Sequence, residues 1–159
     1  MTMPKRLRFR PGPGPCSPAS AHAQLYFGAK AALVDYDLPD SDPGVSGVFV
    51  LGSPFWRNRD LQLALEGELT LPVVDSEVGG NDAGFESLGV FGALRTRGPV
   101  HFIGRVGLVQ GEIGTRDELA AAFGFGIGLR SGGYRWRFEY TAYTVEDVDV
   151  DVLSVGLQF

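Results

Sequence analysis

One run, Leu61-Gln-Leu-Ala-Leu-Glu-Gly-Glu-Leu-Thr-Leu71, limits the possible folds more than any other stretch of the chain. Leu61, Leu63, Leu65, Leu69 and Leu71 share one face at period two, with Gln62, Ala64, Glu66, Glu68 and Thr70 on the other. A helix would scatter these leucines around its axis, whereas an extended strand gathers them. The alternation recurs. Val100, Phe102, Val106 and Leu108 oppose His101, Arg105 and Gly107. Leu119, Ala121, Phe123, Phe125, Ile127 and Leu129 oppose Ala120, Ala122, Gly124, Gly126 and Gly128. Tyr134, Trp136, Phe138 and Tyr140 oppose Arg135, Arg137 and Glu139, and Leu153, Val155, Leu157 and Phe159 oppose Ser154, Gly156 and Gln158. Residues 24–35 and 84–95 follow the scheme less cleanly, and residues 45–54 are apolar on both faces, which leaves their orientation open. Eight strands are therefore expected. Their connections alternate between short ones near 55–58, 96–98 and 131–133 and longer ones near 36–44, 72–83, 110–118 and 145–149. Gly98-Pro99 and Ser131-Gly132-Gly133 are turn sequences of the kind short connections need.

The chain has 159 residues, enough for one domain. Its single cysteine, Cys16, excludes a disulfide framework and a CxxC zinc site. With 14 basic and 19 acidic residues the net charge is −5, a poor balance for nucleic-acid binding. No run of 18 apolar residues is present. A membrane-crossing β-strand, however, needs only about 9–11 residues with one apolar face. Residues 1–23 stand apart as a targeting-like or disordered segment. Lys5, Arg6, Arg8 and Arg10 open it, and Ala21-His22-Ala23 closes it as in a secretory signal peptide, but Pro11–Pro18 replaces the apolar helix. Residues 24–159 form the expected barrel.

A soluble, lipocalin-like barrel alternates in the same way but turns its apolar face inward. Here the opposite faces mix Gly, Ala and Ser with a few Arg and Glu, whereas a water-facing surface carries dense charge. A narrow lumen explains the small residues, since they leave room for long neighbours. The expected fold is an all-β, eight-stranded, antiparallel, up-and-down transmembrane barrel.

Leu25-Tyr-Phe-Gly-Ala-Lys-Ala31, Phe138-Glu-Tyr-Thr141 and Leu153-Ser-Val-Gly-Leu-Gln-Phe159 resemble the first, seventh and last strands of the small OmpA/OmpX-like outer-membrane barrels of Gram-negative bacteria. The resemblance implies an outer-membrane location, contact with outer-membrane lipids and lipopolysaccharide, a monomeric state and no cofactor. It also implies delivery by the barrel-assembly machinery through the terminal signal Leu153, Val155, Leu157 and Phe159, in which Leu157 stands where an aromatic is common. The family is diverse in function, so the resemblance fixes location and fold more than activity; the role expected here is non-catalytic, either envelope integrity or surface interaction through acidic loops. A lipid A-modifying enzyme and a small-solute pore are the alternatives within the family. The deacylases carry a His with a Ser two positions later, but here the sequence is His101-Phe102-Ile103. The acyltransferases begin with an amphipathic helix, which the proline-rich start cannot form.

No catalytic or metal site is expected from the motifs. Gly124-Phe-Gly-Ile-Gly-Leu129 lacks the last glycine of a dinucleotide fingerprint, and the Asp147-Val-Asp149-Val-Asp151 run lacks the glycine and glutamate of a calcium loop. Charge is more informative. Fifteen of the 19 acids fall in the four long connections and their flanks, with Arg116 as the one base there. Such clustering favours Ca²⁺ or Mg²⁺ over polyanions. The short connections hold Arg57, Arg59, Arg95, Arg97 and Arg130 with Asp60 as their one acid. On the polar strand faces, Lys30, Glu66, Glu68, Arg105, Arg135, Arg137 and Glu139 are expected to form a salt-bridge network that plugs the lumen, with Lys30, Glu66, Arg105 and Glu139 at one depth. Tyr26, Phe27, Phe55, Trp56, Tyr134, Trp136 and Phe159 lie at the short-turn strand ends. Amphipathic rings favour a membrane interface, so Trp56, Tyr134 and Trp136 are expected there, with Trp136 facing lipid.

Overall fold

The computed structural model describes residues 25–37, 41–78, 81–113, 116–144 and 149–159, without side chains for 76–83 and 112–118. The targeting-like segment 1–23 lies outside the described residues. Eleven strands form: β1 (Tyr26–Tyr36), β2 (Ser41–Asp42), β3 (Gly44–Arg57), β4 (Leu61–Val74), β5 (Ser76–Val78), β6 (Asn81–Ala83), β7 (Phe85–Thr96), β8 (Val100–Ile113), β9 (Arg116–Ser131), β10 (Tyr134–Thr144) and β11 (Asp149–Gln158). Eight of them, β1, β3, β4, β7, β8, β9, β10 and β11, close in an antiparallel barrel, with β1 paired to both β3 and β11. Closure leaves no edge in which backbone groups lack partners, which is what lets strands cross a membrane.

The side chains are sorted as alternation requires, with the apolar set outside. Phe27, Phe102, Phe125 and Leu153 are each at least 60% exposed, while Glu66 is 0% and Arg137 2% exposed. A soluble barrel would reverse this arrangement, so the lipocalin-like alternative does not describe this chain. The outward leucines, valines and phenylalanines form a belt around the wall whose natural solvent is hydrocarbon.

The connections depart from expectation in three places. The first short turn lies at residues 58–60 and not at 55–58, because Asn58 Oδ1 accepts the backbone N–H groups of Asp60 (2.8 Å) and Leu61 (2.6 Å) and fixes the reversal there. Residues 110–118 are mostly not loop. The β8–β9 ladder continues to Ile113 opposite Arg116. Residues 72–83 contribute β5 and β6, which join β2 in a three-stranded sheet beyond the barrel.

The undecided second strand turns Ser46, Val48, Val50 and Gly52 inward and Phe49 and Leu51 outward. Its partner in β4 jumps from Ala64 at Pro54 to Leu63 at Trp56, leaving Phe55 as the extra residue of a bulge. A second shift, between Val45 and Ser46, leaves Val73 unpaired beside Pro72. Both irregularities adjoin a proline, which has no N–H for the ladder. The first one lets Phe55 and Trp56 both face outward.

Candidate functional site: the charged lumen

At mid-barrel the inward positions of four strands bring long charged side chains together. Lys30 Nζ lies 2.8 Å from Glu68 Oε2 and 3.0 Å from Glu139 Oε2. Arg105 lies 2.7 Å from Glu68, 3.5 Å from Glu139 and 3.7 Å from Glu66. Arg137 pairs with Glu66 at 3.0 Å and also with Glu139. The structure thus joins six of the seven residues assigned to the network by sequence, and Lys30, Glu66, Arg105 and Glu139 meet at one depth.

The seventh, Arg135, requires correction. It is partly exposed near the short-turn end of β10 and makes no ion pair among the described residues. Its place is taken by Arg95, which bonds to Glu66 through Nη2 and is 3% exposed. Sequence position suggested a rim residue, but its parity is that of Ser87, Gly89, Phe91 and Ala93, all inward on β7. Extending that alternation by one step would have found it.

Tyr26 belongs by sequence with the aromatics at the short-turn strand ends. It is buried in the lumen, where its hydroxyl donates to Glu66 Oε1 at 2.7 Å and the Arg95 guanidinium lies 4.6 Å from its ring centre. Tyr143, which sequence reasoning missed, donates to Glu68 Oε1 at 3.2 Å. The Arg105 guanidinium carbon also lies over the Phe91 ring, 3.8 Å from its centre. With four bases and three acids the network keeps one excess positive charge. Buried charges require such mutual compensation, since each alone would cost several kcal/mol to desolvate, on the order of the penalty for an unpaired ion.

The room for these side chains comes from glycines directly opposite them on the neighbouring strand. Gly124 faces Arg105, Gly126 faces Glu139, Gly156 faces Lys30 and Gly128 faces His101. A Cβ at Gly124 would stand 2.8 Å from Arg105 Cγ, and one at Gly126 2.7 Å from Glu139 Cγ. At Gly128 it would run into the His101 ring. His101 is itself buried in the lumen, and its imidazole makes no hydrogen bond among the described residues.

At the short-turn rim, Trp56, Tyr134 and Trp136 all face outward, each at least 43% exposed. Leu153, Val155 and Phe159 face outward too, and Leu157 is partly exposed. Phe159 stacks on Phe27 with ring centres 5.2 Å apart and donates its N–H to Phe27 O at 2.8 Å. The rim is drawn tight by Arg97 N–H to Asp60 O (2.8 Å) and Arg130 N–H to Pro99 O (2.7 Å). The described acids at the opposite end include Asp35, Asp37, Asp42, Asp75, Glu86 and Asp149, all exposed. Asp40, Glu146 and Asp147 lie outside the described residues, as do the side chains of Glu77, Asp82, Glu112, Asp117 and Glu118.

Comparison with known proteins yields no matching family model and no matching curated protein. Solved structures do match. The attachment invasion locus protein Ail of Yersinia pestis is 18% identical with a TM-score of 0.62, and the alignment covers 85% of this chain and 96% of that one. Neisserial surface protein A is 20% identical with a TM-score of 0.59, covering 84% and 95%. The outer membrane enzyme PagL is 15% identical with a TM-score of 0.58, covering 83% and 98%. The outward apolar belt and the closed wall define a small eight-stranded β-barrel of the transmembrane type, the fold that these solved structures share. Ail, Neisserial surface protein A and PagL are proteins to which this chain is similar in fold.

Proposed function

We propose that the barrel is a non-catalytic, non-conducting element of the outer membrane that serves envelope integrity or surface interaction through its acidic loops. The observation that carries this is the lumen network. Its ion pairs run between residues of β1, β4, β7, β8 and β10, so charged side chains reach across the bore from several walls. An eight-stranded wall encloses an interior that side chains can just fill. The non-catalytic part rests on His101. A hydrolase of this size needs a nucleophile hydrogen-bonded to a base, and Ile103 stands two positions after His101, also inward and buried. In this proposal the monomeric barrel contacts lipid and lipopolysaccharide through its belt. The assembly machinery reads Leu153, Val155, Leu157 and Phe159.

Planar-bilayer recording tests the bore. The folded protein is expected to leave the bilayer at baseline conductance, and steady open-channel current from the wild type would overturn the proposal. Incubation with radiolabelled lipid A tests the chemistry: no release or transfer of acyl chains is expected, and turnover that survives His101→Ala would still count against a non-catalytic role.

A further inference from the structure

A second cluster of charge lies below the network, at the short-turn rim. Here the barrel opens into a cavity of about 430 Å³ lined by Arg57, Arg95, Arg97, Arg130, Arg135 and His101, with no Asp or Glu among its described lining residues. Of the five arginines, only Arg95 pairs with a carboxylate among the described residues, that of Glu66, through Nη2 alone. Arg95 is 3% exposed, and its Nε and Nη1 are buried with no hydrogen-bond partner. Arg130 and Arg135 stand directly opposite each other across the β9–β10 ladder. Like charges so placed repel, and neither arginine forms an ion pair among the described residues. A buried guanidinium with two unpartnered nitrogens, in the lining of a cavity that four further guanidinium groups also line, is a site for an anion with several acceptor oxygens.

The depth of the cavity narrows the choice of anion. Arg57 and Arg135 are each next in sequence to an outward tryptophan, Trp56 and Trp136. Amphipathic rings settle at the headgroup level of a bilayer, which is where phosphate oxygens are concentrated. We propose that this rim cavity binds a phosphate-bearing anion, held by Arg95 from above and by Arg130 and Arg135 from the side. Free phosphate and the phosphodiester of an anionic lipid headgroup offer these donors the same chemistry.

Two titrations on the full chain folded in neutral maltoside micelles separate the sources. One adds inorganic phosphate and follows the heat. The other adds phosphatidylglycerol and follows retained lipid by native mass spectrometry. Arg130→Gln and Arg135→Gln remove residues that make no ion pair, so folding is expected to be retained, checked by the heat-dependent gel shift. Each should weaken binding about tenfold or more, the effect of losing one charge-assisted hydrogen bond. Arg59→Gln, the same charge change at the same rim but outside the cavity lining, should leave binding as in the parent. Binding of phosphate with this pattern identifies a free-anion site, and binding of the lipid alone with this pattern identifies a headgroup site. Absence of both, or equal weakening by Arg59→Gln, overturns the proposal.

Discussion

Replacing Glu66 by glutamine perturbs the lumen where its bonds are densest. The carboxylate is 0% exposed and accepts from Tyr26 at 2.7 Å, from Arg137 at 3.0 and 3.3 Å, and from Arg95, with Arg105 a further 3.7 Å away. Glutamine keeps the shape and one acceptor oxygen. It removes the charge, leaving four bases against two acids and raising the excess positive charge from one to two. Breaking one side of a buried ion pair costs about 3–5 kcal/mol. With a urea slope of roughly 2 kcal/mol per molar, the unfolding midpoint should fall by roughly 1.5–2.5 M. The assay is urea unfolding from phosphatidylcholine vesicles, followed by tryptophan fluorescence. Glu66→Gln combined with Arg95→Gln restores a single excess charge, and the double variant should be more stable than the sum of the single losses by about 0.5–3 kcal/mol. A Glu66→Gln barrel within about 0.5 kcal/mol of its parent, the spread of an ordinary surface substitution, would refute the view that the network holds the lumen together.

Gly128→Ala places a methyl group against the His101 ring and should cost about 1–3 kcal/mol. In the His101→Ala background the same change should cost far less, and equal costs in both backgrounds would show that the close approach is not the cause. Brominated lipids labelled near the headgroup should quench Trp56 and Trp136 strongly and centre-labelled lipids weakly, with the reverse order ruling out their interfacial placement. Ca²⁺ titrated into the folded protein should give measurable heat and raise its melting temperature, and a flat calorimetric trace with no thermal shift would remove the cation role of the acidic loops.

Alternation alone was enough to read the wall of the barrel, because lipid outside and a packed lumen inside press opposite demands on successive residues. It failed where that pressure is interrupted. Val45–Pro54 is apolar on both faces because Val48 and Val50 pack inside the barrel while Phe49 and Leu51 meet lipid. The bulges beside Pro54 and Pro72 shift register without any change in hydropathy. The network was legible wherever a long charge stood in the middle of a strand, as at Lys30, Glu66 and Arg105. It was misread at the rim, where position along the strand was weighed above parity. Arg95 and Tyr26 both lie on inward parity and both reach Glu66, while Arg135, also of inward parity, stays at the cavity mouth. Parity shows which face a side chain leaves from, but it does not show how far a six-atom arginine reaches along the bore.

Lys30 stands on β1, the strand that meets β11 where the two ends of the barrel sheet join. One of its carboxylate partners, Glu139, is on β10, and the other, Glu68, is on β4. The partners therefore lie on opposite sides of that joint, and a sheet still open between β1 and β11 cannot offer both at once. The ammonium group acts as a latch that engages only when the cylinder is shut. A sheet open at this joint leaves the bond between Lys30 and Glu139 unmade, and reopening the finished barrel there must break that bond, while the bond to Glu68, on β1's own side through β3, can persist. A single lysine in this position adds a side-chain tie across the joint, so that detachment of β1 from β11 has to break that tie as well as the backbone ladder.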